Sequence, residues 1–332
     1  MTAPVAIIGA GGWGTALAIT LAASRPVRLW VHEPELAATM AKSRENAVYL
    51  PGALVPQSVT ISSSLSEVVE SSVLVIVAVP SHVYRSVVTL LKPLLKPDMV
   101  FVSGTKGIEN ETLMRMSEVI TDVVGKTFKP QIAVLSGPTF APEVARGEPA
   151  ALVVASPDES LRIRLQRDLS TPRFRLYTNS DMTGVEVGAA VKNIVAIAAG
   201  VADGLGLGSN AMAALTTRGL AEITRLVVAC GGKRETMSGL AGLGDLVLTS
   251  YGNLSRNRRV GIALGQGRSI EEITRSTRMV AEGIRTTRSA VELSRKLHIE
   301  MPIAEKMYSV LYEGLRPQQA IADLMERKLK EE

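Results

Sequence analysis

Cysteine is almost absent. Cys230 is the only one in 332 residues, so no disulfide can close within the chain and a reducing compartment is the expected setting. It sits in the apolar helical run Leu226–Ala229, where a buried structural thiol is expected. Histidine is nearly as scarce at three copies, and these show no ligand spacing, so no metal is expected. Aromatic residues make up only 4%, and no basic cluster has aromatics interleaved with it. With a net charge of just +5, that argues against a nucleic-acid partner while suiting a small anionic ligand. No basic n-region or cleavage site precedes the first apolar run, so no targeting segment and a cytoplasmic location are expected. One long apolar stretch, Val185 to Ala202, is interrupted by Glu186, Lys192 and Asn193, which points to a buried helix and no membrane span.

What is present begins with Val5-Ala6-Ile7-Ile8, which runs into Gly9-Ala10-Gly11-Gly12-Trp13-Gly14. A short β-type run, a G-x-G-x-x-G turn and an Ala/Leu-rich helical stretch over roughly Trp13 to Ser24 open a dinucleotide-binding βαβ unit. Gly9 permits the tight turn, Gly11 lets the backbone approach a pyrophosphate, and Gly14 lets the helix pack close to the strand. The helix start offers unpaired N–H groups and the positive end of its dipole to the phosphates.

An apolar content of 46% over 332 residues suits one large or two ordinary soluble domains, each with a core. The first half alternates β-type and helical segments, with strands expected at Val5–Ile8, Val27–Val31, Val59–Ile61, Val73–Val77, Val100–Ser103 and Ile132–Leu135. Ala151–Ala155 and Phe174–Tyr177 are expected as antiparallel additions at the edge. Val73–Val79 is apolar on both faces, as a central parallel strand is; Pro80 ends it, and Ser81 is expected to cap the next helix. After Thr178 strand patterning stops and helical periodicity continues. The fold expected is α/β: a Rossmann-type doubly wound, mostly parallel sheet in residues 1–180, followed by an all-helical domain in residues 181–332. The charge run 326–332 is expected to be a solvated helix end.

Five further segments carry chemistry. His32-Glu33-Pro34 closes the second strand about twenty residues beyond the glycine turn, where cofactor ribose discrimination is decided. An acidic group there favours the 2′-hydroxyl of NAD and a cation or neutral donor tolerates the 2′-phosphate of NADP; both types are present, so the choice stays open. Ser103-Gly104-Thr105-Lys106-Gly107 follows a strand, and Lys106 there can present a fixed charge to a carbonyl or phosphate oxygen, or be a solvated loop lysine. Ser136-Gly137-Pro138-Thr139 is again strand then turn; its N–H groups and the Thr139 hydroxyl suit an anionic or hydroxylated substrate, and equally an ordinary helix cap. Lys192 and Asn193 lie inside the apolar helix of the second domain. A lysine there is expected either to snorkel or to act as a general acid–base, brought toward neutrality by desolvation or by a cation such as Lys106. Gly242–Leu246 presents Asp245 on a glycine-rich bend, and Asn253–Arg259 clusters cations suited to a phosphate.

Taken in order, GAGGWGTALA, LWVHEP, VPSHV, GTKGIE, SGPTFAPE, GAAVKNIVAIAAG, GLAGLGDLVLT, SRNRR, VAEG and EMPI span nearly the whole chain. This set resembles bacterial NAD(P)-dependent glycerol-3-phosphate dehydrogenase. The resemblance implies hydride transfer between a reduced nicotinamide and the keto carbon of dihydroxyacetone phosphate, giving sn-glycerol 3-phosphate for phospholipid synthesis. It implies Lys192 as proton donor and acceptor, Lys106 as the group that polarises the carbonyl, and Asp245, Asn193 and Thr249 as neighbours that orient the site. Ser255, Arg256 and Asn257 would receive the phosphate side of the substrate, assisted by Gly137 and Thr139. For NAD or NADP, it implies Gly12, Trp13, His32, Tyr49, Lys106, Ala141, Arg256, Val280 and Glu282 beside the glycine turn, and for the assembly a homodimer. Two other readings share the glycine turn: a related two-domain dehydrogenase of another hydroxy acid, which has no use for the SRNRR cluster, and a non-catalytic dinucleotide sensor, which has no use for Lys192.

Overall fold

The computed structural model describes residues 3–275, 281–329 and 331. Contacts divide the chain into two compact units, Met1–Lys106 with Met114–Glu186, and Gly107–Leu113 with Val187–Glu332.

The first unit is built on ten strands: β1 Val5–Ile8, β2 Val27–Trp30, β3 Glu45–Asn46, β4 Leu50–Leu54, β5 Val59–Ser62, β6 Leu74–Val77, β7 Val100–Ser103, β8 Gln131–Ser136, β9 Ala150–Ala155 and β10 Phe174–Asn179. Eight of them form one sheet in the order β10-β9-β8-β7-β6-β1-β2-β5. From β5 to β8 every pairing is parallel, and the chain order reverses between β1 and β6, the switch point of a doubly wound sheet. β9 joins β8 antiparallel and β10 joins β9 parallel, so the last two strands are the reversed edge that their position after the sixth strand led one to expect. The hairpin β3–β4 is an addition to the expected set: two residues pairing with a stretch containing Pro51 and Gly52 carry no strand periodicity.

Alternation explains the burial of the sheet. Ile7, Leu29, Ile76 and Val102 enter the core on one face, while Ile8, Trp30, Val75 and Phe101 enter the core on the other. Aligned registers place the carboxyl ends of β1, β2, β6 and β7 at one edge, with Gly9 N–H donating to Trp30 O, Ala78 N–H to Ile8 O and Gly104 N–H to Val77 O. β6 ends at Val77, three residues before Pro80, and Ser81 opens a short 3-10 turn, Ser81–Val83; the following helix starts at Tyr84 without a side-chain cap.

The second unit is helical. Its central element, Met182–Gly204, starts at the end of the first unit and is the one helix among the described residues long and apolar enough to cross a membrane; its apolar window is wholly buried in the protein. Ala190, Val191, Ile194 and Ile197 place it in one core with Ile223 and Val227 of the helix Ser209–Ala229 and Met307 of the helix Pro302–Tyr312. Glycine lets a second helix, Arg256–Gly265, lie directly against it: a Cβ on Gly200 would collide with Arg258 O, and one on Gly261 with Ile197 O. Cys230 is only half-buried, at the C-terminal cap of Ser209–Ala229 with its side chain on the rim of this core, because the apolar run ends where the helix does.

Candidate active site

At the end of β1 the glycine turn has the shape its spacing dictates. Gly9 sits at φ +115°, a left-handed value that a side chain resists, and a Cβ there would lie 2.8 Å from Ala78 O. At Gly14 a Cβ would run into Gly9 O itself, so helix and strand approach as closely as backbone allows. Gly11 differs: a Cβ there would meet nothing within 4 Å. It caps the ten-residue helix Gly12–Leu21, so the helix N-terminus faces open space beside an unobstructed backbone. A pyrophosphate fits that cradle, through N–H groups and the helix dipole together. Trp13 adds a buried indole N–H with no acceptor among the described residues, close to Gly104.

Around this turn the first unit gathers several of the expected residues. Ala141 begins the short helix Ala141–Ala145, its Cβ 3.7 Å from the position of a Cβ on Gly12, and Tyr49 O closes the other side of Gly12 at 2.8 Å. His32 and Glu33 are exposed beyond β2. His32 packs edge-on to Trp30, and the Tyr49 hydroxyl donates to Glu33 Oε1 at 3.4 Å. Lys106 Nζ donates to Gly137 O at 3.1 Å, and the Thr139 hydroxyl donates to the same carbonyl at 3.2 Å. Lys106, Gly137 and Thr139 thus form one cluster.

Sequence reading missed Asn46. Fully buried, it donates to Ala10 O at 2.7 Å and to Thr15 Oγ1 at 2.9 Å, and accepts from Tyr49 N–H at 3.1 Å. It clamps the glycine turn to the segment that carries Tyr49. An isolated asparagine between two turns gives no signal of this, since its partners lie 31 and 36 residues away.

In the second unit Lys192 is 4% exposed and Asp245 1%. The Lys192 ammonium donates to Asp245 Oδ1 at 2.8 Å and also to the Thr249 hydroxyl; Thr249 in turn donates to Asp245 O at 2.7 Å. The geometry follows from the helix Asp245–Tyr251, on which positions 245 and 249 stand one turn apart on the same face. The glycine-rich bend before it, Leu240–Gly244, is a π-type turn that brings this short helix against Lys192. Lys192 neither snorkels nor faces only apolar atoms: its amine is held between a carboxylate and a hydroxyl.

Next along the same helix, Asn193 accepts from Asn257 Nδ2 at 2.9 Å, and Asn257 Oδ1 accepts from Gly283 N–H at 3.0 Å. Ser255 is the N-cap of Arg256–Gly265, accepting from Arg258 N–H at 3.1 Å. Arg256 is exposed at the first position of that helix. Surrounding protein strips water from its guanidinium and lowers its pKa, an effect opposed by Glu282 and reinforced by Arg259. Glu282 opens the helix Glu282–Lys296. Lys192, Asp245 and Thr249 therefore meet, as do Asn193 and Asn257, and Arg256 lies in the field of Glu282. Val280 falls outside the described residues.

Comparison with known proteins gives one answer along the chain. Residues 4–162 match the family described as NAD-dependent glycerol-3-phosphate dehydrogenase, N-terminus, and residues 181–322 match its C-terminus. The glycerol-3-phosphate dehydrogenase [NAD(P)+] of Koribacter versatilis is 52% identical over 326 residues, covering 97% of each chain. That of Syntrophotalea carbinolica is 50% identical over 329 residues and 99% of each. The crystal structure of glycerol-3-phosphate dehydrogenase from Coxiella burnetii superposes with a TM-score of 0.95 at 43% identity, over 98% of this chain and 99% of that one. Glycine cradle, buried lysine–aspartate pair and end-to-end similarity agree: the chain belongs to the NAD-dependent glycerol-3-phosphate dehydrogenase family.

Proposed function

We propose that this protein is an NAD(P)-dependent oxidoreductase that interconverts dihydroxyacetone phosphate and sn-glycerol 3-phosphate. The observation that carries this reading is the buried Lys192–Asp245–Thr249 cluster in a chain of that family. Residues 1–180 are assigned to the cofactor and residues 181–332 to the substrate.

When bound, the nicotinamide supplies or accepts the hydride at C2 of the substrate. Everything else falls to the chain. Gly11, Gly12 and the start of the helix Gly12–Leu21 bind the pyrophosphate, and Trp13, His32, Tyr49 and Ala141 hold the remainder of the dinucleotide with Glu282. As hydride reaches the carbonyl carbon, negative charge develops on its oxygen, and the Lys192 ammonium delivers the proton that completes the alcohol. Asp245 and Thr249 fix the direction of that ammonium and hold it charged until transfer; Asn193 orients the site. In the oxidative direction the neutral amine takes the proton back. The role proposed for Lys106 is to polarise the carbonyl, and the phosphate side is assigned to Ser255, Arg256 and Asn257, with Gly137 and Thr139.

The homodimer is also part of this proposal. Leu243, Val247 and Tyr251 are exposed at four-residue spacing, an apolar stripe on the second unit that a second copy would cover. A cytoplasmic location and a role in supplying phospholipid precursors complete the reading.

The test is the initial rate of dihydroxyacetone phosphate reduction, read by nicotinamide absorbance with NADH and NADPH in parallel. Turnover with either is expected, and the ratio of the two rates reads the choice offered by His32 and Glu33. Bound cofactor without turnover of this ketone would redirect the assignment to another hydroxy-acid substrate.

A further inference from the structure

The second unit contains a cavity of about 530 Å³ that none of the residues assigned to catalysis lines, a size suited to a small molecule. One wall is a face of the helix Ser209–Ala229, on which Arg218 and Arg225 stand seven residues apart; the other is the 3-10 turn Arg234–Ser238. Three arginines therefore line one space. Among the lining residues the only carboxylate is Glu331, next to the end of the chain. Arg225 is oriented by donating to Glu300 O at 3.0 and 3.3 Å, a neutral carbonyl that fixes the guanidinium. Arg234 is exposed. Guanidinium groups match phosphate oxygens, which they grip through paired N–H donors.

The cavity is also wedged against the catalytic pair. Met237, on its lining, packs into the space left by Gly188, where a Cβ would lie 2.5 Å from Met237 Cε. Gly188 is one helical turn before Lys192. On its other side the Met237 backbone fills the space of a side chain at Gly242, three residues before Asp245. Any shift of the turn Arg234–Ser238 therefore presses on both segments that set the Lys192–Asp245 geometry.

We propose that this cavity is a second anion site, which takes a small phosphate-bearing molecule on Arg225, Arg234 and Arg218 and alters turnover through Met237. Glu331, the carboxylate on the lining, is its internal competitor. Binding stands on the cavity alone, whereas the effect on turnover rests on the roles proposed for Lys192 and Asp245.

The experiment is calorimetric titration of the full-length protein with inorganic phosphate, in the Arg256→Ala background that removes the substrate-phosphate arginine. Phosphate binding is expected to persist there, to weaken about tenfold or more when Arg234→Gln is added, and to strengthen when Glu331 is changed to Gln. Circular dichroism melting checks that Arg234→Gln, a change at an exposed position, leaves the fold intact; Arg225→Gln is the second variant. Loss of all phosphate binding in Arg256→Ala, or an affinity indifferent to both Arg234 and Arg225, would overturn the site. So would phosphate binding that disappears as rising protein concentration drives self-association, which would give the surface to a second copy. With Arg256 intact and substrate saturating, phosphate is expected to change the initial rate of the otherwise unaltered protein and not of Arg234→Gln. Binding with no such change would overturn the coupling alone, and absence of turnover in every sample would mark failure of the functional reading instead.

Discussion

The glycine turn of the first unit and the lysine–aspartate pair of the second are assembled by different means. Between Gly9 and Gly14 the tightest constraint is local: the backbone oxygen of Gly9 occupies the space where Gly14 would carry a side chain. Lys192 and Asp245 are 53 residues apart in sequence, and nothing near either one requires the other. A local constraint is written in spacing. A distant one is written only in the packing that brings two helices together, here the contacts of Met237 with Gly188 and Gly242 and the π-type turn before Asp245.

That contrast sets the order of expected damage. Gly14→Ala forces a methyl group into Gly9 O, with no flexible side chain available to yield. It is expected to cost about 3 kcal/mol of stability and to abolish measurable NADH binding, checked by denaturant unfolding and nicotinamide fluorescence. Wild-type affinity in that variant would show that the turn is not the cradle. Arg256→Ala removes a single charged contact from the second unit. An increase in KM for dihydroxyacetone phosphate of about ten- to a hundredfold is expected, with the fold unchanged; a KM equal to wild type would remove Arg256 from the phosphate site.

The third effect, which leaves activity aside and is read only in stability against pH, concerns a buried carboxyl group away from either feature. Glu222 is 2% exposed and accepts from Ile303 N–H at 2.7 and 3.2 Å, at the start of the helix Pro302–Tyr312. Burial pushes its pKa up to about 8, against the opposing pull of the Ile303 N–H and of Arg225. Unfolded, the same group titrates at roughly 4.3, so the folded state holds the proton more tightly. Its contribution to stability is whole below that value and is lost as pH rises toward about 8. Glu222→Gln keeps an acceptor and cannot ionise, so it is expected to flatten the dependence of the unfolding midpoint on pH across this window. An unchanged pH slope would show that Glu222 is ionised throughout.

Much of the first unit was legible because parallel strands buried on both faces leave continuous apolar runs, and all six parallel strands begin and end within a residue or two of expectation. β3–β4 was not legible, since Asn46 is held by hydrogen bonds to Ala10 and Thr15 rather than by apolar periodicity. In the site, the glycines could be read from steric need alone. Lys192 could be singled out as a charge in an apolar helix, but its ion pair could not, because helical periodicity gives the face of a residue and not its partner. The clamp from Asn193 through Asn257 to Gly283 is of the same kind: three polar groups whose bonds join three helices and whose spacing follows no period.

The most direct test of the central claim is single-turnover reduction of dihydroxyacetone phosphate by Lys192→Ala, with NADH affinity measured on the same sample. The expected result is unaltered NADH binding and a turnover rate lower by about a hundred- to ten-thousandfold. Wild-type turnover by that variant would contradict the assignment of Lys192 as the proton donor.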